Sequence, residues 1–239
     1  MKRLAAGSLV LALTALVAVP AATQQDARPG IAVLDFDIGA TIGQERDDYE
    51  ALRRGLASMT IMELAANRSV RVVERSQLQQ ILQEQNLGRE GRIEQGSVSR
   101  IGRLVGARYL VTGTLFDVRG DFRIDARIFN TETGEIVRTT RVQGRLTNIF
   151  DLATQLATAL MREASLPPLE RGAMDEHRQA NPAPPAQAVM AYSRALLYAD
   201  RGDTQRAVDQ YRRALTAFPE YTQARTECNR LQANACPTG

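Results

Sequence analysis

Residues 70–113 read VRVVERSQLQQILQEQNLGREGRIEQGSVSRIGRLVGARYLVTG, and this stretch decides the fold. It opens on a β-branched run with apolar Val70, Val72 and Val73, which predicts a strand over 70–75. Ser76 then opens a helix, and Ser76 with Gln79 has the spacing of a capping box. Leu78, Ile81, Leu82 and Gln85 follow at i, i+3, i+4 and i+7, one inward stripe, and Gly88 stands where a left-handed residue would close the helix. A shorter helix starts at Ser97, carries Val98, Ile101 and Val105, and stops at Gly106. Residues 107–116 return to strand character. Two strands flanking two helices predict an α/β domain.

Upstream, Ile31-Ala32-Val33-Leu34-Asp35-Phe36-Asp37 is a continuous apolar run, suited to a strand covered on both faces. The polar residues 38–48 read as a loop, and residues 49–66 as a helix with Leu52, Leu56, Met59 and Met62 on one side. Downstream, Asp117-Val118-Arg119-Gly120-Asp121 reads as a hairpin turn. Phe122, Ile124, Ala126 and Ile128 then alternate with Arg123, Asp125 and Arg127, giving one buried and one solvated face. Residues 135–142 form a third antiparallel strand, and Asn148 caps a helix bearing Ile149, Leu152, Leu156 and Leu160. The expected class is an α/β (α+β) sandwich, a mixed sheet with helical cover.

The 239 residues carry 44% apolar side chains, no Trp and a single Lys, Lys2, so the core is aliphatic and the basic groups are arginines. The formal charge of +3 includes Lys2 and Arg3, which stand before an apolar run at 9–19 and the small residues Val19-Pro20-Ala21-Ala22. That is the pattern of a cleaved signal peptide over 1–22, implying a periplasmic address. Its removal leaves a charge of about +1, which gives no reason to expect a nucleic-acid partner. The apolar run is shorter than the roughly 20 residues a spanning helix needs. In an oxidising compartment Cys228 and Cys236 read as a disulfide staple, with free thiols as the alternative.

Residues 23–164 are then the α/β domain and 165–187 an extended linker, containing Pro167-Pro168 and Pro182-Ala183-Pro184-Pro185 and the only histidine, His177. Residues 188–232 form a small all-α hairpin with a capping helix, and 233–239 a tail. Within the hairpin Ala195, Tyr198, Gly202, Ala207, Tyr211, Ala214 and Pro219 resemble one tetratricopeptide repeat, from which Arg194 departs. Tyr198, Arg201 and Tyr211 are its candidate partner-binding residues, although the aromatic positions of such repeats more often pack between the helices.

Ile31-Ala32-Val33-Leu34-Asp35-Phe36, Val72-Val73-Glu74-Arg75, Leu78 with Ile81-Leu82, Gly106 to Gly113, and Thr133-Gly134-Glu135-Ile136 together resemble the periplasmic domain of the CsgG family. These are curli production assembly and transport components; the amino-terminal domain of TolB-like proteins is similar too. The resemblance spans somewhat over half the chain. It implies a non-enzymatic periplasmic adaptor or assembly protein, with envelope or secretion proteins as partners, self-association, and contact with the outer membrane without a spanning segment. Two departures argue against a self-contained pore: no cysteine stands at the leader's end for acylation, and the turn after residue 116 is too short for a membrane hairpin.

Other chemistry finds little purchase. Asp35, Asp37, Asp47 and Asp48 could be imagined around a divalent cation, but no loop has calcium-binding spacing. His177 has no partner by spacing and is expected to be exposed, while Walker A and G-x-G-x-x-G motifs are absent. No cofactor is expected. The alternative function is a periplasmic small-ligand or sensory module binding at the carboxyl edge of the sheet, near Asp35 and Asp37.

Overall fold

The computed structural model describes residues 26–42, 45–85, 87, 95–163, 166–167, 170 and 172–236. The expected leader over 1–22, the closing Gly88 and the tail beyond 236 lie outside them. Strand β1 (Gly30–Val33) is followed by β2 (Asp37–Ile42), helix α1 (Arg46–Leu64), β3 (Arg71–Val72), α2 (Arg75–Glu84) and α3 (Gln95–Val105). Then come β4 (Tyr109–Val118), β5 (Asp121–Asn130), β6 (Ile136–Arg145) and α4 (Ile149–Glu163). The chain closes with α5 (Ala173–Ala180), α6 (Ala186–Asp200), α7 (Thr204–Ala217) and α8 (Thr222–Leu231). The result is a mixed α/β architecture, an open six-stranded sheet with eight helices among the described residues.

The sheet order is β3-β1-β4-β5-β6. β1 runs parallel to β3 and β4, and β4, β5 and β6 form an antiparallel meander. β1 is central because its side chains are apolar in both directions. Ile31 and Val33 join Leu52, Leu56 and Met59 of α1 and Leu152, Leu156 and Leu160 of α4 in one core. Ala32 and Leu34 join Leu78 of α2 and Ile101 of α3 in another on the opposite face. The hairpin turn falls where expected, with Arg119 and Gly120 both left-handed at φ 56° and 89°, the geometry that matches strand twist.

The structure corrects the local reading in four places. Residues 38–42, expected in a loop, belong to β2, which pairs parallel with β4 beyond the point where β1 leaves it. Gly39 looked like a loop residue, but it lies where a Cβ would overlap the ring of Phe116, so its smallness serves packing. The strand expected over 70–75 shrinks to β3, and α2 starts at Arg75 with Glu74 as its uncapped N-cap, so Ser76 lies inside the first turn and makes no capping box. A short 3₁₀ turn (Leu146–Asn148) that the sequence reading lacked leads into α4 and places Asn148 directly before Ile149, the first residue of that helix. The expected extended linker contains α5, which lies across α1 through His177 and Met174.

Beyond α5, α6 and α7 form a helical hairpin whose turn is fixed by Asp203, the side chain of which accepts from the Arg206 N–H at 3.0 Å. α8 closes over it. Tyr192, Tyr211 and Tyr221 form an aromatic cluster, with ring centroids 6.0 Å apart for the first pair and 5.0 Å for Tyr192 and Tyr221. Cys228 and Cys236 are bonded beside this core.

Candidate functional site

Where the chain departs from β4 between β1 and β2, Asp35 emerges from the sheet. One strand over, β3 ends and Arg75 begins α2. Because β1 and β3 are parallel neighbours, both side chains leave the same carboxyl edge of the sheet. The Arg75 guanidinium donates from Nε and Nη2 to the two Asp35 carboxylate oxygens, each at 2.8 Å. This is the two-pronged match that only arginine can make.

The same guanidinium reaches out of the α/β unit. Nη2 and Nη1 donate to Asp200, the last residue of α6, at 2.6 and 3.2 Å. Arg54 of α1 donates to Asp200 from the other side at 2.9 Å and pairs with Glu50 one turn earlier at 3.1 Å. Arg75 is only 8% exposed. Burial alone would lower its pKa, but Asp35 and Asp200 outweigh burial and raise it, so the cation is permanent. Burial alone would raise Asp200; the charges and hydrogen bonds of Arg75 and Arg54 outweigh it and hold the carboxyl below its ordinary value.

A second set of contacts docks the hairpin on α1. Gly55 faces Ser193, close enough that a Cβ on Gly55 would overlap the serine hydroxyl, which lets the two helices approach. One turn on, Ser58 and the buried Tyr192 hydroxyl are 2.7 Å apart, and Gln223 of α8 donates to Ser58 at 2.9 Å. Burial, foremost, pushes the Tyr192 phenol up, so it stays a neutral hydrogen-bonding group. Arg194 donates to Asp48 at 2.9 and 2.7 Å, and Arg201 pairs with Asp47 at 3.4 Å.

The acidic residues considered for a cation are thus dispersed. Asp35, Asp47 and Asp48 each engage a different arginine, and no group of three metal-binding side chains occurs among the described residues. Arg194, the residue that departs from the repeat pattern, departs because it faces α1. Of the candidate partner-binding residues, Tyr211 is 1% exposed and packs in the hairpin core, so it presents no anchor at the surface. Tyr198 is half-buried beneath the Arg206 guanidinium, 4.7 Å from its ring centre, and Arg201 is exposed at the junction with α1.

His177 corrects another expectation. It is 12% exposed, not solvent-facing, and its Nε2 lies 3.4 Å from the Glu63 carboxylate, itself 1% exposed. Neither that nitrogen nor either Glu63 oxygen makes a hydrogen bond among the described residues. The pair joins α5 to α1. Sequence reasoning missed the cross-unit role of Arg54, Arg75, Asp200 and Tyr192; the visible signal was a charged residue at the end of each of two otherwise apolar or amphipathic elements.

Residues 12–120 match the model of the family described as curli production assembly/transport component CsgG. The match ends in the turn after β4 and covers less than half of the chain. No curated protein matches the chain. Among solved structures, the chain is similar to the LpoB C-terminal domain from Salmonella enterica at 18% identity. That alignment covers 52% of this chain and 87% of the other, with a TM-score of 0.38. It is also similar to lipoprotein GNA1162 from Neisseria meningitidis, at 9% identity over 57% of this chain and 98% of that one, TM-score 0.39. The PelC dodecamer from Paraburkholderia phytofirmans is 16% identical over 57% of this chain and 88% of that one, TM-score 0.34. Among the described residues no helix is long and apolar enough to cross a membrane.

Proposed function

We propose that this protein is a non-enzymatic adaptor of the cell envelope, exported to the periplasm, in which a CsgG-like platform and a repeat-like helical hairpin present one surface to envelope or secretion proteins. The observation that carries the reading is the match of residues 12–120 to the CsgG model, coupled to the hairpin through Arg75 and Asp200. A platform that holds a helical hairpin by a buried, two-sided ion pair has the pre-organisation an adaptor needs, since ordering costs are met before a partner arrives. The tetratricopeptide-like spacing of Ala195, Gly202, Ala207 and Ala214 supports a recognition role for the hairpin.

Cell fractionation of the full chain with a carboxyl-terminal tag, followed by cross-linking in intact cells and light scattering of the purified protein, tests this. Release with the periplasmic or outer-membrane fraction, together with a discrete cross-linked complex or a homo-oligomer, is the expected result. Retention in the cytosol, or a monomer that cross-links to nothing, overturns it.

A further inference from the structure

A cleft of about 370 Å³ opens between α2 and the docked hairpin, directly above the Arg75–Asp200 contact. It lies past the carboxyl ends of parallel strands β1 and β3, the place where open α/β sheets bind small molecules, and its volume is within the usual range of about 300–1,000 Å³. We propose that this cleft binds a neutral, hydroxyl-rich small molecule, a saccharide of one or two units.

The lining argues for that chemistry. Gln79 and Gln83, one turn apart on α2, face Gln223 and Glu227, one turn apart on α8. Planar amides and carboxylates at several heights around a cavity offer donors and acceptors to sugar hydroxyls, each of which donates one bond and accepts others. Leu196 and Leu231 add apolar surface for the C–H face of a ring.

Gln223 supplies the most specific sign. Its amide nitrogen is committed to Ser58, which fixes the amide's orientation, and its carbonyl oxygen is buried with no hydrogen-bond donor among the described residues. A buried acceptor left open costs about 1–3 kcal/mol, which a small rotation of this half-buried amide toward the cleft, where a sugar hydroxyl can donate to it, would recover.

Charge excludes the anionic alternatives. Both arginines in the lining are engaged, Arg75 by Asp35 and Asp200 and Arg230 by Glu227 at 2.6 Å. The Glu74 carboxylate remains beside them, so a phosphate would meet no unpaired cation and one anion.

The inference does not rest on the adaptor reading, since it needs neither an envelope address nor a protein partner. The test is a titration of the isotopically labelled full chain with maltose, cellobiose and N,N′-diacetylchitobiose, followed through amide signals of α2 and α8, with glucose 6-phosphate as the anionic control. At least one neutral disaccharide should shift the side-chain amides of Gln79, Gln83 and Gln223 and raise the melting temperature. Gln83→Ala, at an exposed position, and Gln223→Leu should each weaken that response by about tenfold. Because Gln223→Leu also removes the donor to Ser58, Gln83→Ala keeps the test independent of folding. No shift at these amides with any of the three sugars, a response unchanged by Gln83→Ala, or tighter binding of glucose 6-phosphate would overturn the proposal.

Discussion

Arg75 and Asp200, 125 positions apart, share two hydrogen bonds of 2.6 and 3.2 Å, while the same arginine grips Asp35 at 2.8 Å through both prongs. One guanidinium therefore ties the sheet edge to the last turn of α6. Replacing it by methionine leaves two largely buried carboxylates without their shared cation. Arg75→Met should lower unfolding free energy by about 3–5 kcal/mol in urea denaturation. Arg75→Lys should recover only part of the loss, since an ammonium cannot satisfy both carboxylates with paired bonds.

The pH dependence follows from Asp200. Its carboxyl is held below the ordinary value because Arg75 and Arg54 outweigh the opposing effect of burial. In the unfolded chain it titrates near 3.9, so the folded state favours the ionised form. The contribution is fully present above that unfolded value and is lost as pH falls through the folded one. Urea midpoints of the wild type should exceed those of Asp200→Asn at about pH 7, and the gap should narrow at about pH 3. A gap that stays constant would remove the ion pair from the explanation.

Gly55 sets how closely α6 approaches α1. Gly55→Ala should push Ser193 away and cost about 1–3 kcal/mol in urea denaturation, as overpacking of a tight contact does. The double variant Gly55→Ala with Ser193→Gly should recover much of it, and the coupling measured by the double-mutant cycle reports the contact itself.

The tyrosines of the hairpin separate by role. Tyr211→Ala should cost about 3–5 kcal/mol in thermal or urea unfolding, since the ring is buried among Tyr192 and neighbouring helices. Tyr198→Ala should cost less, about 1–3 kcal/mol, because the half-buried ring gives up its packing on the hairpin core together with its cation–π contact with Arg206.

These residues also mark how far sequence patterns carried. Local grammar was legible: the turn at Arg119 and Gly120, the alternating faces of β5 and the stop of α3 at Gly106 each follow from nearest-neighbour chemistry. β2 was not, because Gly39 and its half-exposed neighbours gain strand geometry only from the free edge that β4 offers once β1 has left it. α5 was hidden by prolines on both sides of it. The junction was least legible of all. Arg75 and Asp200 look like ordinary surface charges until the parallel pairing of β1 and β3 and the docking of α6 on α1 bring them together. Tyr198 stood out in the repeat pattern, yet the buried hydroxyl that contacts α1 belongs to Tyr192, two turns earlier.

Through this junction the α/β unit and the helical hairpin are expected to unfold as one cooperative body. Differential scanning calorimetry tests it most directly. The expected result is a single transition whose calorimetric enthalpy equals the van't Hoff enthalpy, shifted down as a whole by Arg75→Met. Two resolved transitions in the wild type, with the hairpin's melting untouched by Arg75→Met, would contradict it.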